Sequence, residues 1–175
     1  MTKHPLAFDP IAEAERQWRD RWPAPEAMAA ATSIMRAQQI VLGTVDRALG
    51  DMGLSFARYE ALVLLHVSRR GSLPLGKMGD RLQVHPTSVT NLVDRLESQG
   101  LVRRTRHPTD RRTTLAEITG EGRRVVEKAT AEVVDTHFGL DGLSATELTR
   151  LTAILRKVRV HAGDFPDDRR SVDRQ

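Results

Sequence analysis

Residues 86–112 bring together short polar side chains and arginines in a pattern that suits hydrogen bonding rather than bond breaking. Thr87, Ser88, Thr90 and Asn91 follow directly on Pro86, and LVRRTRHPTDRR (101–112) then holds five arginines and one acid. An asparagine can pair with adenine through two hydrogen bonds, and a threonine methyl group can meet that of thymine. Arg103, Arg104 and Arg106 suit phosphates, while Arg111 and Arg112 on a thin loop suit the negative potential of a narrow minor groove. Asp110 makes sense here as a partner of Arg112 that fixes the direction of that guanidinium. Together these residues point to double-stranded DNA as the partner.

Catalytic chemistry lacks its parts. The chain has no cysteine, so thiolate catalysis, disulfide switching and cysteine-based zinc sites are excluded. His4, His66, His85, His107, His137 and His161 never fall three to five residues apart, as a local histidine metal pair requires. No GxSxG, HExxH or glycine-rich phosphate loop is present. No catalytic residue, metal or cofactor is expected. His66, on an apolar helical face, reads as a hydrogen-bonded core histidine.

Local elements must position the polar set. Val89, Leu92, Val93 and Leu96 recur at i, i+3, i+4 and i+7, predicting a helix opened by Pro86 and stopped by Gly100. Its opposite face carries Thr87, Asn91, Asp94 and Ser98, flanked by Ser88, Thr90 and Arg95. A short helix bearing Leu75, Met78 and Leu82 precedes it through the turn Gln83-Val84-His85. Strands at about 101–106 and 113–118 flank HPTDRR, predicting a β-hairpin with a basic tip. A helix with small polar residues near its N-terminus fits the major groove, and its positive end sits well beside phosphate.

The flanks read as helices. Asp9 caps one over 9–20, WPAP breaks it, and a long helix follows from about Glu26 to Asp51. Ser55 is expected to cap a third helix in which Tyr59, Leu62, Val63 and His66 share a face, with Leu64, Leu65 and Val67 covering other faces. Two more helices cover roughly 120–138 and 144–161, the second opened by a Ser144–Glu147 capping box. The mixed-charge end, 162–175, is expected to be disordered. Of 175 residues 39% are hydrophobic and 29% charged, with formal charge +4. No apolar run approaches the ~18–20 residues that span a bilayer, and the charged start is unlike a secretory signal, so a cytoplasmic location without membrane partners is expected.

The run LGKMGDRLQVHPTSVTNLVDRLESQGLVRR, the wing TRHPTDRRTTLAEIT and the helix opening TGEGRRVVEKA resemble the MarR (multiple antibiotic resistance regulator) family of bacterial transcription factors. With the flanking helices the resemblance covers roughly residues 27–161, and Asp110-Arg111-Arg112 matches the family's DxR wing. It implies a mainly α fold with a small β-hairpin wing, a winged helix-turn-helix plus a helical dimerisation layer. Residues 1–25 are then an N-terminal extension, 26–54 with 120–161 the dimerisation region, and 55–119 the DNA-binding domain. It further implies a homodimer with one recognition helix per half-site of a near-palindrome, and repression relieved by a small ligand. The extension, with Trp18 and Trp22, is similar to that of a subset binding urate or other small anions. That likeness implies an anionic effector near Trp18, Arg95 and Glu60, although the subset's usual acid is aspartate; Trp18 packing the extra helix is the structural alternative. The alternative function is a winged-helix protein-interaction module that does not act through DNA.

Overall fold

Proline and small polar caps open most of the helices, and residues 6–110 and 112–167 are the ones described by the computed structural model. Arg111 and the tail residues 168–175 lie outside the described residues. Helix α1 (Pro10–Arg19) starts where Asp9 Oδ1 accepts the Ile11 amide at 2.9 Å, and it packs on α2 (Pro25–Leu49). A 3-10 turn, Gly50–Met52, ends α2 at Gly53, whose φ of +63° a side chain would resist. Helix α3 (Phe56–His66) follows. Ser55 holds its N-cap position but makes no side-chain cap. Instead Asp46 of α2 accepts the Phe56 amide at 2.8 Å, a charged acceptor outcompeting a hydroxyl.

Helix α3 is central, with Tyr59, Ala61, Leu62 and Leu65 buried; Val67, past its last turn, is 71% exposed and covers nothing. Helix α4 (Leu75–Leu82) ends at Gln83 in the left-handed region, φ +53°. Helix α5 (Pro86–Ser98) begins where His85 Nδ1 accepts the Thr87 amide at 3.3 Å. Three antiparallel strands, in the order β1-β3-β2, follow from β1 (Ser72–Pro74), β2 (Val102–Arg106) and β3 (Thr114–Ile118). The predicted hairpin therefore carries a third strand, paired as Leu73 with Ala116. Three residues ending in proline leave no alternation to read, and proline is tolerated at a sheet edge.

Helix α6 (Gly120–Asp135) is capped by Thr119 Oγ1, which accepts the Gly122 amide at 3.0 Å. It stops short of the predicted 138 because His137 and Phe138 take φ of +45° and +54°. Val45 and Leu49 of α2, Val126 and Val133 of α6, and Leu96 of α5 belong to one buried cluster, so both flanks seat the polar helix.

The chain divides into two compact units at Gly139. The second holds α7 (Ala145–His161), opened by the expected capping box: Ser144 Oγ takes the Glu147 amide and Glu147 takes the Ser144 amide at 2.8 Å. Within this unit Arg159 pairs with Asp164 and Arg156 with Asp167, both at 2.6 Å, and both guanidiniums lie about 5 Å from the Phe165 ring centre. The expected disorder from 162 onward is thus corrected for residues 162–167. No helix among the described residues is long and apolar enough to cross a membrane.

Candidate nucleic-acid interface

Val89, Val93 and Leu96 anchor α5 in the core at 0–1% exposure, which turns its other face outward. Pro86, Thr87, Ser88, Thr90 and Asn91 are all exposed there, contiguous as predicted. Thr87 Oγ1 lies 3.1 Å from the His85 ring, and Thr90 Oγ1 donates to the Pro86 carbonyl at 3.2 Å, so both hydroxyls are oriented. The Ser88 and Asn91 side chains have no hydrogen-bond partner among the described residues. Their donors and acceptors are open to a ligand at the positive end of the helix.

The wing treats its arginines unequally. Arg103 pairs across the strands with its register neighbour Glu117 at 2.7 Å yet remains 65% exposed, and the guanidinium holds the Glu117 carboxyl below the usual range. Arg106 and Arg112 are exposed and have no ion-pair partner among the described residues. Arg104 differs: its guanidinium meets Asp94 at 2.6 Å, Glu97, and the Thr90 carbonyl at 3.4 Å. Burial works against its charge, but the two carboxylates outweigh that and raise its pKa. Expected to bind phosphate, Arg104 is instead directed back onto α5.

Asp110 also departs from expectation. Its Oδ1 accepts the Arg112 backbone amide at 3.0 Å and its Oδ2 accepts the Thr113 hydroxyl at 2.6 Å. These hydrogen bonds, the Thr113 hydroxyl foremost, hold its carboxyl below the usual range. The acid shapes the backbone of the tip and leaves the Arg112 guanidinium alone. His107 completes the turn, its amide donating to the Thr113 carbonyl at 3.0 Å and its Nδ1 accepting the Asp110 amide at 3.2 Å.

The three proposed effector residues are not gathered around one groove. Trp18 Nε1 donates to the Pro23 carbonyl at 2.9 Å and its ring centre lies 4.8 Å from that of Trp22, which closes the α1–α2 turn. Glu60 is exposed on α3, and partial desolvation raises its carboxyl pKa. Arg95 lines a groove of about 410 Å³ with Ser55, Arg58, Ser88, Asn91 and Leu92, without Trp18 or Glu60. His66 is not the satisfied core histidine expected: its buried Nδ1 has no partner among the described residues, and its Nε2 sits 4.0 Å from Glu127. Sequence reasoning missed Arg58, the His85 cap and the partners of Arg104. Only the Arg103–Glu117 pair had a readable signal, since strand register puts the two opposite each other.

A sequence model of the MarR family matches residues 56–114. The crystal structure of Sco5413, a MarR family transcriptional regulator from Streptomyces coelicolor, is 55% identical, with TM-score 0.75, covering 81% of this chain and 99% of that one. Sco3205, a regulator of the same family and organism solved in complex with DNA, is 28% identical over 84% of this chain and 92% of that one, TM-score 0.75. CouR from Rhodococcus jostii RHA1, solved with p-coumaroyl-CoA bound, is 31% identical over 79% of this chain and 94% of that one, TM-score 0.68. With a near-full-length relative at more than half identity and the family's own fold, the chain belongs to the MarR family of winged helix-turn-helix transcriptional regulators.

Proposed function

We propose that the chain is a cytoplasmic, sequence-specific repressor that binds a near-palindromic operator as a homodimer. The observation that carries this reading is the exposed polar face of α5, with Asn91 unpartnered, beside a wing whose Arg106 and Arg112 are free of ion pairs among the described residues. Thr87, Ser88, Thr90 and Asn91 read base edges, with Pro86 at the phosphate-facing helix start. Arg103 and Arg106 bind phosphates, and Arg112 with Arg111 enters the minor groove on a tip that Asp110 holds in shape. The DNA-bound state of Sco3205 supports this assignment.

Uncovered apolar side chains support the dimer. Ile34, Met35 and Ile40 on α2 are 46–64% exposed, and Leu151, Ile154 and Val158 line one face of α7 at 37–59%. Residues 26–54 and 120–161 therefore form the dimerisation region, the 55–119 domain binds DNA, and α1 extends the layer. A small anion seated between Arg58 and Arg95 would touch Ser88 and Asn91, and so compete with DNA; the ligand held by CouR supports such regulation.

Asn91→Ala and Arg106→Ala test the division of roles. Asn91→Ala is expected to weaken the preferred duplex by about 1–3 kcal/mol while leaving random duplex unchanged. Arg106→Ala is expected to weaken both and to flatten the log–log salt slope by about 0.9 for each phosphate no longer neutralised. Identical effects of the two changes across sequences would refute the assignment.

A further inference from the structure

Two acids stand on the exposed side of α5, where a DNA-facing helix has reason to avoid them. Asp94 and Glu97 are 55% and 40% exposed, and their charge would repel a phosphate backbone if left alone. Both converge on Arg104, the most covered of the three ion-paired partners at 27% exposure. The guanidinium donates to Asp94 Oδ1, Glu97 Oε2 and the Thr90 carbonyl. The Arg104 backbone amide donates to Glu97 Oε1 at 3.0 Å. Glu97 thus holds both the side chain and the main chain of one residue on the outer strand β2, whose unpaired edge would otherwise be solvated.

We infer that Asp94, Glu97 and Arg104 form a brace that fixes the wing relative to the recognition helix, and that Arg104 is a positioning residue rather than a phosphate ligand. The inference rests on the DNA-binding reading above and deepens it. Thr90, whose carbonyl takes the last guanidinium hydrogen bond, stands beside the base reader Asn91. The wing is therefore tied to the turn of helix that carries sequence readout. The rigid planar fork spans these acceptors from two nitrogens, one on Glu97 and the other on Asp94 and the Thr90 carbonyl, where a lysine has a single ammonium on a flexible stem. Major-groove and minor-groove binding then engage in a fixed register, and mismatched spacing is rejected.

The double variant Asp94→Asn/Glu97→Gln separates this from the alternative, because the two predict opposite signs. It removes two negative charges from the DNA face, so simple electrostatics makes every duplex bind more tightly. Loss of the brace instead lowers the ratio of operator to random-duplex affinity by about tenfold or more. Arg104→Lys should show the same loss of ratio. Arg104→Gln paired with Asp94→Asn, which keeps net charge, should leave the salt slope within about 0.3 of wild type, where removing a true phosphate ligand would change it by about 0.9. A second readout needs no DNA: amide hydrogen exchange on the free protein should rise about tenfold across β2 and the wing tip in the double variant, with α3 and α6 unchanged. Tighter binding to both duplexes at a constant ratio, or unchanged wing exchange, would overturn the inference. Faster wing exchange in a protein whose wild type prefers no duplex would leave the brace standing and remove the DNA reading instead.

Discussion

Gly122→Ala probes the joint by which the wing domain meets α6, and its cost can be worked from interatomic distances. A Cβ at Gly122 would sit 2.1 Å from the Leu101 carbonyl oxygen and 2.8 Å from Ile118 Cγ1. Ordinary van der Waals separation begins at 3.4 Å, so the two backbones must part by about 1.3 Å. Leu101 has little freedom to yield, because its carbonyl accepts the Thr119 amide at 3.0 Å while Thr119 Oγ1 caps α6 through the Gly122 amide. Overpacking costs about 1–3 kcal/mol, and a backbone clash belongs at the upper end. Better helix propensity returns about 1 kcal/mol, leaving a net loss near 2 kcal/mol. For a chain of this length that corresponds to a melting temperature about 4–8 °C lower at fixed protein concentration. Gly120→Ala is the control two residues away, with nothing within 4 Å of its Cβ, and should be neutral or gain up to about 1 kcal/mol. Scanning calorimetry on the pair reads the difference. A Gly122→Ala protein melting within about 1 °C of wild type would refute the packing argument and with it the steric reason for glycine in the TGEG segment.

Further outcomes concern pH and assembly. Because the Thr113 hydroxyl and the Arg112 amide depress the Asp110 carboxyl, tip order is complete above the ordinary aspartate range of about 3.9 and is lost as pH falls through the lower native value. The Arg112 and Thr113 amide resonances should titrate together with a midpoint under that range, and a midpoint at or above it would contradict the geometry. Glu60 carries the opposite sign: desolvation raises its native pKa, so the protonated form is the one folding favours and ionisation at neutral pH costs stability. Glu60→Gln should melt above wild type at pH 7, with the gain fading as pH falls through the raised native value and absent below about 4.3. Ile154→Glu, a charge on the exposed apolar face of α7, should convert dimer to monomer in sedimentation equilibrium, and an unchanged dimer would place the interface elsewhere.

Periodicity made the helices legible. Val89, Val93 and Leu96 repeat along a regular helix, so their burial and the exposure of Thr87, Ser88, Thr90 and Asn91 follow from one pattern. The resemblance of residues 74–119 to a known family carried the wing and the function. What escaped the sequence depends on partners distant along the chain. Ser55 looks like a cap until Asp46 of the preceding helix arrives with a charged oxygen. Arg104 looks like its neighbours Arg103 and Arg106, and only the crossing of β2 over α5 brings two carboxylates to it. Asp110 and Arg112 stand at a spacing that allows either backbone or side-chain pairing, and turn geometry decides for the backbone. Strand β1 carries too few residues to show alternation, and its existence depends on the β3 edge.

The central claim is dimeric, sequence-specific reading of duplex DNA, and selection from a random duplex library tests it most directly. Protein-bound duplexes would be enriched, sequenced and then titrated by fluorescence anisotropy at two salt concentrations. The account predicts an inverted repeat with half-site centres one helical turn apart, ~34–36 Å, and affinity that falls steeply with salt. Salt-sensitive binding with no enriched motif, or no binding at low salt, would contradict it.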